Sequence, residues 1–341
     1  MIEISENKPM SSATNVLIHP SQFPESVRRD LLESLRARRV NHKFHYDSVK
    51  QTQKWLVLHQ ACSPTRNDAD CRAVYGKSFK AATAQIKSRR VDVIGLGCGG
   101  GQKDTRLLKL LKAGGKEVFY TPCDVSTAMV LTARNAALAV LPAEHCFPFV
   151  CDLAAADDLQ TILVTRHPSL VTFFGMIPNF EPQAILPKLA SLVGPKDYLL
   201  FSANLAPGAD YAAGMKRILP QYDNPLTRDW LMTFLLDLGV ERRDGKLQFE
   251  IEDGRFGSKR VVARFHFHRP RRMEIESQVF RFANGDTIQL FFSYRYTPDR
   301  VGNLLARYRL RVRDQWIAKS GEEGVFLCER GSRCGKANAF S

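Results

Sequence analysis

Glycines stand at positions 95, 97, 99, 100 and 101 of VDVIGLGCGGGQKD, with an acid at 124 in YTPCDVS and another at 152 in VCDLA. Glycine runs at a strand-to-helix junction let a backbone approach a ligand closely. The ligands that use them are a nucleotide phosphate, a dinucleotide, or an adenosine-containing cofactor without phosphates. A phosphate-binding loop would end in Gly-Lys-Ser/Thr, whereas Lys103 is followed by Asp104. A dinucleotide fingerprint is only partly met, because the stretch from Gly97 to Gly101 ends in Gln102. Asp124 follows the glycines by about 20 residues, where a carboxylate can accept both ribose hydroxyls of an adenosyl group. That role serves NAD and S-adenosylmethionine alike. Asp152 closes the next expected strand, where an acid can accept from the adenine amino group, and this second acid favours the adenosyl-sulfonium cofactor. Taken singly, each acid also fits a helix N-cap or turn. Together with the glycines they describe a cofactor site.

Such a site needs strands that end side by side. VDVIGL, EVFYTPC, CFPFVCDL, LVTFFGM and DYLLFSANL read as five strands, with helices over 104–112, 126–140 and 183–193 between them. An amphipathic helix is expected over 24–40 and another helix around 69–88. After Pro207 the pattern changes: 208–245 reads as helical, and KRVVARFHFH, MEIESQVFRF and TIQLFFSYRY read as strands. Asn284-Gly285 between the last two is a hairpin signal. A helix over TPDRVGNLLARY and two strands, RLRVRDQWIA and GVFLCER, return to the first pattern. Five β/α units, an insertion, a helix and a closing antiparallel pair predict an α/β fold, a Rossmann-like, seven-stranded class I methyltransferase core with an inserted α+β substrate-binding domain. The expected boundaries are 1–62 for an N-terminal helical segment joining the insertion, 63–207 for the core, 208–295 for the insertion and 296–330 for the return to the sheet. An insertion of about 90 residues at the strands' carboxyl ends would cover the place where doubly wound folds bind ligands. The ends, 1–20 and 331–341, are expected to be mobile.

Composition bounds the rest. No apolar stretch is long enough to span a bilayer, and MIEISENKPMSSATNVLIHP lacks the basic-then-apolar order of a secretory signal. The eight cysteines include no Cys-x-x-Cys pair and read as buried thiols in a reducing cytoplasm, with no metal site expected. The formal charge is +14, from 49 Lys/Arg and 35 Asp/Glu. Between Arg255 and Arg313 fourteen basic residues face four acids, which raises nucleic acid as a partner. Yet RFHFHR and RYRLRVR alternate basic with apolar, the pattern of a solvated strand face. A small-molecule partner and a monomer are the expectation.

The chain resembles the histidine-specific, S-adenosylmethionine-dependent N-methyltransferases that make trimethylhistidine on the route to ergothioneine. The resemblance covers roughly residues 27–329 and is carried by KFHYDSV, SPTRNDAD, GLGCGGGQKDTRLL, PCDVS, FFGMIPNFEP, QYDNP and SYRYTP, in order. It implies that Gly97, Gly99 and Lys103 line the methionine end of the cofactor, with Lys103 meeting its carboxylate. Asp124 would take the ribose, Asp152 the adenine, and Tyr46 would close over them from the N-terminal segment. Asn179 would hold the substrate's amino and carboxylate groups, Tyr222 its carboxylate, and Ser293 would lie near an imidazole. Phe174 and Phe291 would be apolar walls, or plain core.

The sequence also departs from the family. The acid that usually opens the glycine loop is replaced by Gly95, the aromatics before Pro-Thr-Arg by Cys62 and Ser63, and a ring-recognising glutamate by Phe291. A carboxylate facing an imidazole N–H is a strong discriminator, because its loss leaves a buried donor unpaired. The cofactor half is therefore better supported than histidine as substrate. The reading is N-methylation of an amino acid or similar small amine by in-line transfer, with no obligatory general base. The rivals are a non-catalytic S-adenosylmethionine-binding protein and a methyltransferase acting on a larger anionic substrate such as nucleic acid.

Overall fold

Val91, Val93 and Ile94 are buried to 3% exposure or less, as residues of a strand paired on both edges and covered on both faces must be. The computed structural model describes residues 13–331. In chain order the strands are β1 (Leu17–Ile18), β2 (Arg90–Leu96), β3 (Glu117–Asp124), β4 (Phe149–Val150), β5 (Ser169–Phe173), β6 (Tyr198–Asn204), β7 (Gly245–Asp253), β8 (Lys259–Phe267), β9 (Arg271–Ile275), β10 (Gln278–Phe282), β11 (Thr287–Arg295), β12 (Leu310–Ile317) and β13 (Glu323–Arg330). The large sheet runs β1-β4-β3-β2-β5-β6-β13-β12. β2 through β6 are parallel, and β13 runs antiparallel between β6 and β12. This is the expected seven-stranded core with its closing antiparallel pair, plus one short edge strand. That strand corrects the expectation for the N-terminus: Leu17–Ile18 pairs with β4 rather than moving freely. The remainder of the two expected mobile ends, 1–12 and 332–341, lies outside the described residues.

Helices Gln102–Ala113 and Thr127–Ala137 follow β2 and β3, as their sequences predict. Helix Ala69–Gln85 precedes β2 and packs against β12 and β13. The stretch read as one helical region after Pro207 is two helices, Tyr211–Tyr222 and Pro225–Asp237, followed by β7. β7 pairs with β8, and β8 with β11, in a second antiparallel sheet. MEIESQVFRF is not one strand but most of a hairpin, β9 to β10, turning at Glu276, whose φ of 55° is left-handed. Asn284-Gly285 does turn the chain, with Gly285 at φ 87°. It does not join paired strands, because β10 pairs with β9 and β11 with β8.

An apolar cluster joins the N-terminal segment to the insertion: Leu35, Phe44 and Tyr46 pack with Trp230, Phe234, Phe265 and Phe291. The helix Val49–Cys62, a stretch to which the sequence pattern assigns no element of its own, packs on Pro225–Asp237. It is also tied to the large sheet, since Thr52 Oγ1 donates to Tyr46 O at 2.8 Å and lies 2.9 Å from Ser126 Oγ.

Candidate functional site

At the carboxyl ends of the parallel strands lies a cavity of ≈ 480 Å³. Its walls include Gly97, Gly99, Lys103, Asp124, Asp152, Asn179 and Tyr46, so seven of the ten sequence-predicted residues meet there. Gly97 and Gly99 adopt φ of 57° and 52°, a left-handed conformation that costs glycine little. A Cβ on Gly97 would sit 2.6 Å from Met176 Cγ, so the loop has no room for a side chain there.

Asp124 ends β3 and binds the loop to it. Its Oδ2 accepts from Gly99 N and its Oδ1 from Ser126 N, each at 3.0 Å. Burial raises its carboxyl above the usual range, and the backbone N–H donors oppose that shift. It is thus a turn acid and a cavity acid at once. Asp152 is 1% exposed; Oδ1 accepts from Ala154 N at 2.9 Å, while Oδ2 has no hydrogen-bond partner among the described residues. A buried carboxylate oxygen left open beside a cavity is costly unless a ligand donor fills it. The nearest cation, the fully buried Lys43 Nζ, is 3.8 Å away and spends its short contact of 2.6 Å on Asp30.

Tyr46 is held edge-on against Trp55, with centroids 6.0 Å apart, and burial raises its phenol pKa. Lys103 Nζ lies 3.0 Å from Tyr75 Oη and 4.5 Å from the centre of that ring. Burial lowers its pKa, and Glu323 works against that shift. Asn179 Nδ2 donates to Phe292 O at 3.1 Å, linking the turn after β5 to β11.

Tyr222, Phe291 and Ser293 do not line this cavity. Tyr222 Oη donates to Ser293 Oγ at 2.9 Å and accepts from Arg295 Nε at 3.0 Å, so these polar groups satisfy one another within the insertion. Phe291 packs on Trp230 with centroids 5.6 Å apart, as a core residue does. Phe174, by contrast, lines the cavity.

Several wall residues escaped the sequence reading: His42, Trp55, His59, Met176, Asn204 and Glu323. Burial lowers the pKa of His42, and that of His59 to about 4, so both rings are neutral near pH 7. Arg295 was also missed. It is 8% exposed and donates to Leu205 O at 3.3 Å and Glu322 O at 3.4 Å, with no carboxylate partner among the described residues. The only available signal was a charge inside an apolar strand pattern.

The missing acid at 95 has a structural counterpart. A Cβ there would lie 2.4 Å from Asp104 Oδ2 and 3.0 Å from the Tyr120 ring. Asp104 is 3% exposed, accepts from Tyr120 Oη at 2.7 Å and from Thr172 Oγ1 at 2.8 Å, and also lines the cavity.

Sheet order, glycine loop and strand-end acids define a class I methyltransferase fold that uses S-adenosylmethionine. The chain belongs to the histidine-specific, S-adenosylmethionine-dependent methyltransferase family, whose sequence model matches residues 27–330. No curated protein matches the chain in sequence. Among solved structures it is similar to the CcbJ methyltransferase of Streptomyces caelestis, at 13% identity over 75% of this chain and 95% of that one, with a TM-score of 0.40. It is also similar to the 1,6-didemethyltoxoflavin-N1-methyltransferase of Burkholderia thailandensis, determined with 1,6-didemethyltoxoflavin and S-adenosylhomocysteine. There the identity is 12% over 83% of this chain and 89% of that one, with a TM-score of 0.39. No helix of the described residues is long and apolar enough to cross a membrane.

Proposed function

We propose that this methyltransferase N-methylates an amino acid or an amino-acid-like small amine, histidine being the first candidate. The observation that carries the reading is the cavity itself. Its size is that of a small-molecule site, and its walls include the glycine loop, the strand-end acids, Tyr46 and Asn179. Bound S-adenosylmethionine supplies an activated methyl group for in-line displacement. The proposed holders are Gly97, Gly99 and Lys103 at its methionine end, Asp124 at the ribose and Asp152 at the adenine. The open Oδ2 of Asp152 supports that fit.

The protein's task is then to position the acceptor nitrogen about 3 Å from the methyl carbon, in line with the departing sulfur. Asn179 orients the acceptor, and the aromatic wall of Tyr46, Trp55 and Phe180 excludes water. Desolvation lowers an ammonium pKa, so the acceptor can attack as a neutral amine. Tyr222, Ser293 and the buried Arg295 form a hydrogen-bonded group in the insertion. In this reading Tyr222 receives the acceptor's carboxylate and Ser293 lies near its ring.

Part of the basic charge behind the nucleic-acid alternative is paired within the protein. Arg264 is paired with Glu250 and Glu252, Arg260 with Glu181 and Glu252, and Lys259 with Asp253, so acids of β7 and of the segment after β5 neutralise the basic face of β8. A cytoplasmic setting fits the described cysteines, all of them free, of which Cys62 is exposed and Cys98 half-buried rather than buried as expected.

The test is incubation with S-adenosylmethionine and a panel of amino acids and small amines, read by mass spectrometry. Methyl transfer to an amino-acid amine is expected. Transfer only to RNA or DNA, with salt-sensitive binding, would reject the reading. Asp152→Asn turns an acceptor into a donor opposite the adenine amino group. It should weaken S-adenosylmethionine binding by about tenfold to a hundredfold in calorimetry. Unchanged affinity would remove Asp152 from the adenine site.

A further inference from the structure

Glu323 is the first residue of β13 and lies beside Asn204 of β6 in the antiparallel register. Both line the cavity, although more than 100 residues separate them in sequence. The Glu323 side chain belongs to a residue 7% exposed. Its Oε1 accepts from Tyr75 Oη at 2.6 Å, and Oε2 has no hydrogen-bond partner among the described residues. The fully buried Tyr75 also receives Lys103 Nζ, at 3.0 Å, on the same phenol oxygen. One hydroxyl therefore accepts from a cation and donates to an anion. It stands between the two charged groups, Lys103 and Glu323, both of which line the cavity.

A buried charge is tolerated only when it is paired and hydrogen-bonded. Lys103 and Glu323 make no direct ion pair at 4.0 Å or less, so each retains capacity for a ligand group of opposite sign. The other carboxylates of the cavity are committed elsewhere. Asp104 accepts from Tyr120 and Thr172, Asp124 holds the glycine loop, and Asp152 belongs to the strand end on the opposite side of β2. A ligand moiety with an ammonium and a carboxylate on one carbon matches a fixed cation and anion joined by a phenol. Neutral or purely anionic groups would leave one of the pair unmatched.

We infer that Glu323 binds the ammonium of the cofactor's methionyl end, while Tyr75 fixes Glu323 and Lys103 as one site for the zwitterion. The inference rests on the proposed reading that this end faces the glycine loop and Lys103. It explains why a strand as apolar as GVFLC begins with a buried acid, and why helix Ala69–Gln85 turns a tyrosine inward at that level. Tyr75 is a positioning residue, acting through the two charges it holds.

The experiment is a calorimetric comparison of three probes. They are S-adenosylhomocysteine, its desamino analogue, which lacks only the amine, and 5′-methylthioadenosine, which lacks the whole amino-acid end. The wild type should prefer S-adenosylhomocysteine over the desamino analogue by at least about tenfold, the scale of one charge-assisted hydrogen bond. In Glu323→Gln that preference should fall to within about twofold, while 5′-methylthioadenosine binds as in the wild type and so reports an intact fold. Tyr75→Phe leaves the carboxylate but frees it, and should reduce the preference partly. A wild type indifferent to the amine overturns the inference, as does a Glu323→Gln variant that keeps the full preference. Failure of the wild type to bind S-adenosylhomocysteine at all would instead remove the cofactor orientation on which the inference stands, and the inference with it.

Discussion

Replacing Asp124 by alanine is expected to lower the affinity for S-adenosylmethionine by at least about a hundredfold, the largest binding effect of any single substitution in the cavity. Two losses combine. The carboxylate presents the acceptors for which the ribose hydroxyls are proposed partners, and hydrogen bonds to a charged group contribute about 1.5–3 kcal/mol each. The same carboxylate accepts from Gly99 N and Ser126 N, so the alanine variant also releases the glycine loop from β3. Ser126 Oγ in turn meets Thr52 Oγ1, which connects the loop to the helix that carries Trp55 over the cavity. Asp124→Asn separates the contributions. One amide oxygen can still accept from one backbone N–H, so the asparagine variant should melt closer to the wild type while still binding weakly. Isothermal calorimetry beside thermal unfolding reads both effects. If Asp124→Ala bound S-adenosylmethionine as the wild type does, Asp124 would be a turn acid and nothing more.

Much of the core was legible because its signals are local. A buried parallel strand is a short apolar run, and glycines with an acid at the next strand end mark where the cavity opens. The insertion was harder. In β7, KLQFEIED alternates Leu247, Phe249 and Ile251 with charged and polar residues, a clear strand period, but it falls between the helical reading of 208–245 and the strands read from 259, and no element is assigned to it. Missing β7 also distorted the charge reading. Glu250, Glu252 and Asp253 precede Arg255, so a count from Arg255 to Arg313 leaves out the acids that pair across the β7–β8 ladder. Likewise Glu323 looks like an ordinary turn acid in SGEEGVF. Only the antiparallel return of β13 beside β6 brings it to the cavity, and no local pattern encodes that register. Tyr222, Phe291 and Ser293 show the converse. Their place in the resemblance is clear, whereas their partners in this structure are one another, Arg295 and Trp230.

The largest effect on stability is expected at Gly95. Gly95→Ala should destabilise the protein by about 3 kcal/mol in urea unfolding, the upper part of the overpacking range. The new Cβ would lie 2.4 Å from Asp104 Oδ2 and 3.0 Å from the Tyr120 ring. Neither neighbour can yield cheaply: Tyr120 is fully buried, and Asp104 is fixed by hydrogen bonds to Tyr120 and Thr172. The backbone cannot yield either, because Gly95 pairs with Pro122 on one side and Thr172 on the other. If the clash is with the carboxylate, the two sites must be coupled. Asp104→Ala alone strips the buried Tyr120 hydroxyl of its partner and leaves Thr172 Oγ1 only the longer contact to Ile94 O, at 3.4 Å. Adding Gly95→Ala to it should then cost little more, a coupling of about 2 kcal/mol, whereas simple additivity would rule out the carboxylate as the obstacle. A pH series gives an independent check. Burial raises the Asp104 carboxyl from 3.8 to about 6. A carboxyl raised in the folded state contributes stability that is fully present below its unfolded value and is lost as pH rises through the folded one. The penalty of Asp104→Ala should therefore be greatest near pH 4 and shrink by up to about 3 kcal/mol by pH 7. Such a result would show a carboxylate carried by the helix after the loop, in space that an acid on the strand at position 95 would need.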